Sequence, residues 1–338
     1  MATRRDIRQA LVARADALID AHTHVGVCLA SYMTEGYPYC QSAADLHGKL
    51  SAVGFDYWVS FPMPTPVVFD LEGYRRWELR PADMGPATPF DFENRRLMTE
   101  VYDLLDDLAD RFLCMAVIDP AREPHAQVDC LTALARDDPV CGLKVMGTSV
   151  RSHTIELLGQ GRCLLDWAAG RDLPVLMHSA CHPQDPWSQT GDLLRIVEAR
   201  PEIRFCIAHA ARFDRAHLDR IAELDNCWFD TSAFGIHCDL AVADHPSVVP
   251  PDRRFSANYA RPDEALTALA EAYPHKAIYG SDSPFESYSS RYRHADGRIE
   301  KYALRSDVAT ETAYLRALPT DLVQRIAHEN TVRFLFGS

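Results

Sequence analysis

Short apolar runs alternate with amphipathic segments along almost the whole chain. Eight runs rich in β-branched, aromatic and aliphatic residues lie at 17–25, 57–62, 111–119, 141–147, 174–180, 204–210, 227–233 and 277–283. Segments with a helical spacing of apolar residues lie at 42–53, 92–110, 124–136, 161–170, 189–199, 212–223, 262–272, 306–317 and 319–335. Near-continuous apolar runs are typical of strands that are covered on both faces of a parallel sheet.

Eight strand-then-helix units predict an α/β fold, a closed (β/α)8 TIM barrel rather than an open doubly wound sheet. No glycine-rich dinucleotide fingerprint follows the first run, which argues against the open sheet. No repeat or linker divides the chain, so we predict one barrel domain over residues 1–338. Long connections follow four of the strands, at 26–41, 63–91, 234–260 and 284–305.

Loops that follow barrel strands gather at the C-terminal face of the barrel, where active sites lie. Long loops in a compact domain are usually functional, so the connection 63–91 is a candidate cover for the barrel mouth. The alternative for this segment is an ordinary surface excursion.

Composition narrows the class of protein further. Hydrophobic residues make up 47% and charged residues 25% of the 338 residues, which excludes a disordered chain. The net charge of −13 disfavours nucleic acids and anionic membranes as partners. There is no apolar stretch of ~20 residues and no apolar leader, and the ten cysteines form no C-x-x-C pair. We therefore expect a soluble, cytoplasmic protein with reduced thiols.

The first strand carries two histidines in the pattern His22-Thr23-His24. Residues i and i+2 of a strand point to the same face, about 6.6 Å apart along it. Two imidazoles placed in this way can reach one metal ion at about 2.0–2.1 Å each. The alternative is a pair of histidines that share a surface strand without a ligand.

Four more polar residues stand near the ends of other apolar runs, where a barrel interior is normally filled by branched apolar side chains. They are Lys144, His178, His209 and Asp282. Buried charges need partners or a metal ion, because isolated buried charge is costly. Each residue alone could be a satisfied polar group of the core, but together they indicate one site at one rim.

This ordered set resembles the metal-binding residues of the amidohydrolase superfamily. Segments such as GLKVMG, LPVLMHSA, PEIRFCIAHAARF and AIYGSDSPF are similar to the branch that includes aminocarboxymuconate-semialdehyde decarboxylase. The resemblance covers most of the chain. It does not identify a substrate, because that branch contains both hydrolases and non-oxidative decarboxylases.

The resemblance implies a role for each residue. His22, His24 and Asp282 would hold the first metal ion, and His178 would be a further ligand. His209 would bind a second ion, or act as the catalytic acid or base of a one-metal site. Lys144 occupies the position that carries a carboxylated, metal-bridging lysine in binuclear members. An unmodified ammonium group cannot ligate a metal, and it would instead pair with Asp282 or with a substrate carboxylate.

Lys144 favours a hydrolase of a small-molecule amide, lactone, ester or similar bond. In such an enzyme, metal-activated water attacks a carbonyl carbon and Asp282 moves the proton. A metal-dependent decarboxylase of an unsaturated or aromatic carboxylic acid is the second interpretation, and a non-catalytic ligand-binding barrel is the third. The ligand types suit one or two zinc ions, although Mn, Fe or Co would also be compatible.

Other residues are weaker candidates. An anionic substrate would need a local basic group in this acidic protein, and arginine suits carboxylates. The candidates for substrate contact are Arg212, His182, Trp187, His237, Arg291 and Arg293. Asp230 is a candidate supporter of the metal ligands, whereas Cys28 and Cys181 are interpreted as packing residues. The resemblance also implies a homodimer.

Overall fold

A closed ring of eight parallel strands forms the centre of the molecule, a (β/α)8 TIM barrel. The computed structural model describes residues 4–33, 35–64, 88–293 and 297–337. The barrel strands follow the sheet order β1, β3, β4, β5, β6, β7, β8, β9. Their bounds are β1 Ile19–Val27, β3 Tyr57–Pro62, β4 Phe112–Ile118, β5 Gly142–Val145, β6 Val175–Met177, β7 Phe205–Ile207, β8 Cys227–Asp230 and β9 Ala277–Ile278.

The ring closes between its first and last strands. Thr23 forms a parallel bridge with Ser283, and the amide of Ala21 donates to the carbonyl of Tyr279 at 3.0 Å. Each of the eight apolar runs seen in the sequence forms one of these strands. The closed barrel predicted from the sequence is therefore confirmed.

Helices surround the ring, and most of them lie where the apolar spacing predicts. The α-helices are α1 Arg4–Ala13, α2 Leu29–Met33, α3 Ala43–Ala52, α4 Asp91–Met98, α5 Pro124–Asp137, α6 Gly147–Val150, α7 Arg162–Ala169, α8 Thr190–Ala199, α9 Arg215–Glu223, α10 Phe234–Val242, α11 Pro262–Ala272, α12 Val308–Arg316, α13 Thr320–Gln324 and α14 Asn330–Phe336. Two π-helical segments, Thr99–Leu104 and Arg325–Glu329, extend α4 and join α13 to α14. Short 3-10 turns lie at Ala109–Arg111, Thr154–Leu158 and His209–Phe213.

The helix predicted over 212–223 begins three residues later than expected. Residues His209–Phe213 form a left-handed turn, with φ between 46° and 63° at all five positions. The carboxylate of Asp214 then accepts from the amide of Ala216, which caps a right-handed helix that begins at Arg215.

Several elements lie in segments that the sequence pattern leaves as loops, among them helix α2. The two-residue strand β2, Cys40–Gln41, pairs antiparallel with the end of β1. Helix α10 is apolar on almost every side and so has no amphipathic period to detect. Strands β10, Tyr288–Arg293, and β11, Ile299–Leu304, form a separate antiparallel hairpin. Of the candidate mouth cover 63–91, positions 65–87 lie outside the described residues.

The core has two layers, which alternate along each strand. On β4, Leu113 and Val117 point into the barrel, whereas Phe112 and Cys114 pack against the surrounding helices. Lys144 pairs in register with Val117 on one side, so its side chain belongs to the inner layer. Helices α1 and α14 contribute Leu11 and Phe334 to the inner layer, which closes the bottom of the barrel and leaves the opposite rim to polar residues.

No described helix is both long and apolar enough to span a membrane. All ten cysteines are free.

Candidate metal centre

His22, His24 and Asp282 converge at the C-terminal rim of the barrel. The Nε2 atoms of His22 and His24 each lie 3.1 Å from Oδ1 of Asp282. One potential ligand atom from each residue lies within 4.8 Å of the others, and all three side chains are buried. Two imidazole nitrogens and one carboxylate oxygen form a donor set that zinc and related divalent metals accept. These residues therefore fit a metal ion.

Local backbone features bring the three residues together. His22 and His24 are alternate residues of β1, so both imidazoles project from the same face. A Cβ atom at Gly280 would lie only 2.6 Å from Cβ of His22, so glycine allows the last strand to approach the first. Asp282 follows in a left-handed conformation with φ of 69°, which is unusual for a residue other than glycine.

The charges of this cluster also suit a cation. Burial raises the pKa of Asp282, but the neighbouring imidazoles of His22 and His24 outweigh burial and hold this pKa well below its ordinary value. Burial lowers the pKa of His24 to about 4. At neutral pH the cluster therefore holds an ionised Asp282 carboxylate beside the neutral imidazole of His24. Burial and Lys144 lower the pKa of His22, but the carboxylates of Asp230 and Asp282 outweigh them and raise it overall. A metal ion would displace the second proton of His22, because only a neutral imidazole ligates.

Asp230, at the end of β8, fixes the orientation of His22. Its Oδ2 lies 2.8 Å from Nδ1 of His22, so that nitrogen carries the proton and Nε2 turns towards Asp282. Its Oδ1 accepts from the amide of His209 at 3.0 Å and from the hydroxyl of Ser232 at 2.5 Å. Burial raises the pKa of Asp230, but the neighbouring groups led by His22 lower it overall.

Lys144 is fully buried inside the barrel next to the cluster. Its Nζ lies 3.2 Å from Nε2 of His22 and 4.5 Å from the centre of the Phe61 ring. Within the described ranges it forms no ion pair with a carboxylate, and so its contact is with His22 rather than with Asp282. Burial lowers the pKa of Lys144 to about 8.

His178 and His209 lie beside the three-residue cluster and contact each other. Nδ1 of His178 is 3.0 Å from Nε2 of His209. Nδ1 of His209 is 3.1 Å from the carbonyl of Ser232, which can only accept, so this nitrogen carries the proton. Nε2 of His209 therefore accepts from Nδ1–H of His178. Burial holds the pKa of both imidazoles well below the ordinary value, so both are neutral at pH 7.

Arg212 completes the row of polar groups at the rim. Its guanidinium donates to Nε2 of His178 at 3.2 Å, to Nε2 of His237, and through Nε to the carbonyl of Ser179 at 2.7 Å. Nδ1 of His237 lies 2.9 Å from the carbonyl of Ala233, and burial lowers the pKa of His237 to about 3. Arg212 is only 8% exposed, and in the described part of the chain it forms no ion pair.

The other sequence candidates lie on the surrounding loops. The indole of Trp187 stacks under the guanidinium of Arg151, 4.4 Å from its ring centre. Nδ1 of His182 accepts from the amide of Gln184 at 3.0 Å. Arg291 forms a 3.2 Å ion pair with Glu35 on the hairpin side of the mouth. The backbone of Arg293 ends strand β10, but its side chain lies outside the described part of the structure.

Two residues of the site carry no chemical signal in the sequence. Phe61, at the end of β3, packs its ring against His22 and His24 with ring centres 4.9 and 4.6 Å apart. Ser232 joins Asp230 to His209 through its hydroxyl. An aromatic residue at a strand end is ordinary core composition, and a serine in a loop is equally common. For Phe61 and Ser232, the one available signal is their position near strand ends, which the barrel topology brings to the same rim as the metal-binding candidates.

Comparison with known proteins identifies the family of the chain. The amidohydrolase family profile matches residues 19–337, which is nearly the whole chain. No curated protein matches the sequence.

Solved structures share the fold at low sequence identity. A protein described as a putative 2-pyrone-4,6-dicarboxylic acid hydrolase from Pseudomonas putida is 20% identical, with a TM-score of 0.56, and the match covers 95% of this chain and 97% of that one. Amidohydrolase 2 from Bifidobacterium longum subsp. infantis is 17% identical, with a TM-score of 0.51 and coverage of 95% and 98%. An IDCase from Metarhizium anisopliae is 11% identical, with a TM-score of 0.52 and coverage of 95% and 98%. From its whole-length profile match and its barrel, the chain belongs to the amidohydrolase family.

Proposed function

We propose that this protein is a metal-dependent hydrolase that cleaves a C–N or C–O bond, as in an amide, lactone or ester, in a small carboxylate-bearing molecule. The observation that carries the proposal is the convergence of His22, His24 and Asp282 within a buried rim of an amidohydrolase barrel. Zinc is the metal that this donor set suits best, and Mn, Fe or Co would also be accepted.

His22, His24 and Asp282 would hold the metal. A divalent ion in such a site supplies Lewis-acid activation of water and of a substrate carbonyl. Asp282 is ionised at neutral pH, because its pKa is held well below the ordinary value. Its carboxylate can therefore accept a proton from the attacking water and return it to the leaving nitrogen or oxygen. Asp230 keeps Nε2 of His22 directed at the centre throughout.

Arg212 supports the assignment of an anionic substrate. The three hydrogen bonds described for its guanidinium go to neutral groups, namely two imidazoles and a carbonyl. A buried charge without a counter-ion is costly, and a substrate carboxylate would neutralise it. The guanidinium has further N–H groups that can donate to that carboxylate. His178 and His237 hold the guanidinium in place as acceptors.

One feature favours a second function, non-oxidative decarboxylation. His178 and His209 stand outside the three-residue cluster and are engaged with each other. This arrangement would suit a one-metal centre with a neighbouring histidine pair. In a decarboxylase, the pair would deliver a proton to the carbon that loses CO₂, and Lys144 would remain unmodified.

Metal content per chain distinguishes these functions. We expect elemental mass spectrometry of the untagged protein, purified without chelators and with bicarbonate, to find at least one divalent metal per chain. His24→Ala and Asp282→Asn should lose it, whereas His182→Ala, a histidine on a neighbouring loop, should keep it. Melting temperatures measured in parallel identify variants that fail to fold.

The stoichiometry then directs the search for activity. Two metals per chain, with one lost in Lys144→Met, would support the carboxylated lysine and a screen of amides and lactones. One metal that Lys144→Met retains would favour a screen of unsaturated and aromatic acids for CO₂ release. A folded protein without metal, whose melting temperature does not change with added zinc, would refute both functions.

A further inference from the structure

The first barrel strand contains a β-bulge just before the candidate metal ligands. Between Asp20 and Thr23, β1 advances three residues while its partner β3 advances only two. One residue of β1 is therefore extra in this pairing. Because side chains alternate along a strand, one extra residue changes the face to which every following side chain points. Bulges re-aim side chains in this way next to active sites.

The bulge turns the two histidines into the barrel. Ala21 belongs to the inner layer of the core, whereas Val25 belongs to the outer layer, although both would face the same side in a regular strand. The rings of His22 and His24 both contact Phe61, which is a residue of the inner layer. Without the shift of one residue, both imidazoles would instead face the surrounding helices.

Asp20 supplies a hydrogen-bond acceptor inside this bulge. Its Oδ1 accepts from the amide of His22 at 3.1 Å, within the bulged stretch. The same oxygen accepts from the amide of Ser281 at 3.0 Å, on the segment that follows β9. A bulge disrupts the ladder of the strand locally, and a buried N–H group needs an acceptor. Asp20 is fully buried, so one carboxylate oxygen serves two strands at a point that water does not reach.

The same oxygen also bears on the third candidate ligand. Ser281 is the neighbour of Asp282, whose own amide donates to the carbonyl of His22 at 2.8 Å. The carboxylate of Asp20 therefore helps to set the separation between the backbones of His22 and Asp282. Its other oxygen, Oδ2, has no hydrogen-bond partner in the described part of the chain. A single acceptor atom thus makes both contacts.

We propose that Asp20 is a positioning residue of the metal centre, whose Oδ1 holds the bulge of β1 and with it the inward direction of His22 and His24. Asp20 stands outside the three-residue cluster and acts through the backbone of the ligands. This role rests on the metal centre of the proposed function, and it is the same for hydrolysis and for decarboxylation. Loss of a group that orients metal ligands typically lowers metal affinity by about 10–100-fold.

Zinc titration of the metal-free protein against a competing fluorescent chelator tests this role. Asp20→Ala removes the acceptor, and we expect it to weaken zinc binding by about 10–100-fold. Asp20→Asn keeps an oxygen that can accept from the same two amides, so its zinc affinity should stay close to that of wild type. The visible spectrum of the cobalt-loaded protein reports the geometry of the ligands, and it should change in Asp20→Ala but not in Asp20→Asn.

Asp119→Ala is the matched control, because it removes a similar carboxylate away from the metal centre. Asp119 is buried directly after β4, and its Oδ1 also accepts two backbone amides, from Ala121 at 2.9 Å and from Arg122 at 3.0 Å. The control should lower the free energy of unfolding, since two amides lose their acceptor. Its zinc affinity and cobalt spectrum should match those of wild type. Urea unfolding without metal shows which variants are folded.

The outcomes separate this role from the proposed function. A folded wild-type protein that binds no zinc would refute the metal centre, and the role of Asp20 with it. Wild-type zinc affinity in a folded Asp20→Ala variant would overturn the role of Asp20 alone. Weakened binding in Asp20→Asn would do the same, even if Asp20→Ala does not fold, because the negative charge rather than the acceptor would then matter. An equal loss of zinc affinity in Asp119→Ala would also overturn it, since general stability would explain both.

Discussion

At the scale of single residues, Arg212 gives the strongest indication of a bound ligand, because its charge is buried and has no carboxylate partner in the described part of the chain. The Arg212→Met variant removes the buried charge and roughly keeps the volume of the side chain. We expect saturating succinate to stabilise the wild-type protein by about 2–3 kcal/mol and the variant by much less, because ligand binding to the folded state alone shifts unfolding. Thermal melts with and without succinate measure the difference.

Arg151→Met is the matched control for this experiment. Arg151 is an arginine of the same rim that lies over Trp187, and its replacement should leave the succinate shift intact. Equal shifts in wild type and Arg212→Met would show that Arg212 does not bind the carboxylate.

The sequence predicts which residues gather at this rim but not how they pair. His22, His24, Lys144 and the others stand near the ends of apolar strands, and the barrel topology alone brings those ends together. The contact of His178 with His209 depends on the ring rotations and on the loop backbone after β7. Arg212 projects into the row only because residues 209–213 turn left-handed, and a sequence containing two alanines there gives no sign of such a turn.

At the scale of elements, that left-handed turn is a strained segment. Ala210 and Ala211 hold φ of 46° and 49°, a region that costs a residue with a Cβ roughly 1–2 kcal/mol and costs glycine little. We expect Ala211→Gly to raise the free energy of unfolding by about 1 kcal/mol in urea titrations. Ala168→Gly, an equally buried alanine in the right-handed helix α7, should lower it by a similar amount. A lower free energy of unfolding in Ala211→Gly would show that the turn is not strained.

The elements found from the sequence are those with a clear apolar pattern. The barrel strands are buried on both faces, and their runs are apolar at nearly every position. Helix α10 and the β10–β11 hairpin fall outside this rule for opposite reasons. The helix is buried nearly all round, so it has no polar face, whereas the hairpin lies on the surface and its strands mix polar and apolar residues without the near-continuous apolar run of the barrel strands.

At the scale of the whole molecule, Glu311 links global stability to pH. Its carboxyl group on α12 accepts from the amide of Gly235 in α10 at 3.1 Å and from the hydroxyl of Ser306 at 2.6 Å. Burial raises the pKa of Glu311 from 4.5 to about 8. Between these two values the folded protein binds a proton that the unfolded chain does not, so this group lowers stability as the pH rises.

We expect the Glu311→Gln variant, which resembles the protonated acid, to lose this part of the pH dependence. Between pH 5 and 8 its free energy of unfolding should fall less than that of wild type, by up to about 4 kcal/mol, since one pKa unit corresponds to about 1.4 kcal/mol. Urea unfolding at several pH values measures this. Glu271→Gln, an exposed control on α11, should follow the wild-type curve, and a Glu311→Gln curve parallel to wild type would contradict the assignment.

The first and last strands of the barrel meet at the candidate metal centre. This has a consequence for the order of events during biosynthesis. His24 and Asp282, whose side chains lie 3.1 Å apart, are separated by 258 positions along the chain. A ribosome makes about 5–20 residues per second, so at least ~10 seconds pass between the synthesis of His24 and that of Asp282. Ring closure between β1 and β9 is then a late step, and a metal ion held by all three side chains would mark a nascent chain that has finished folding.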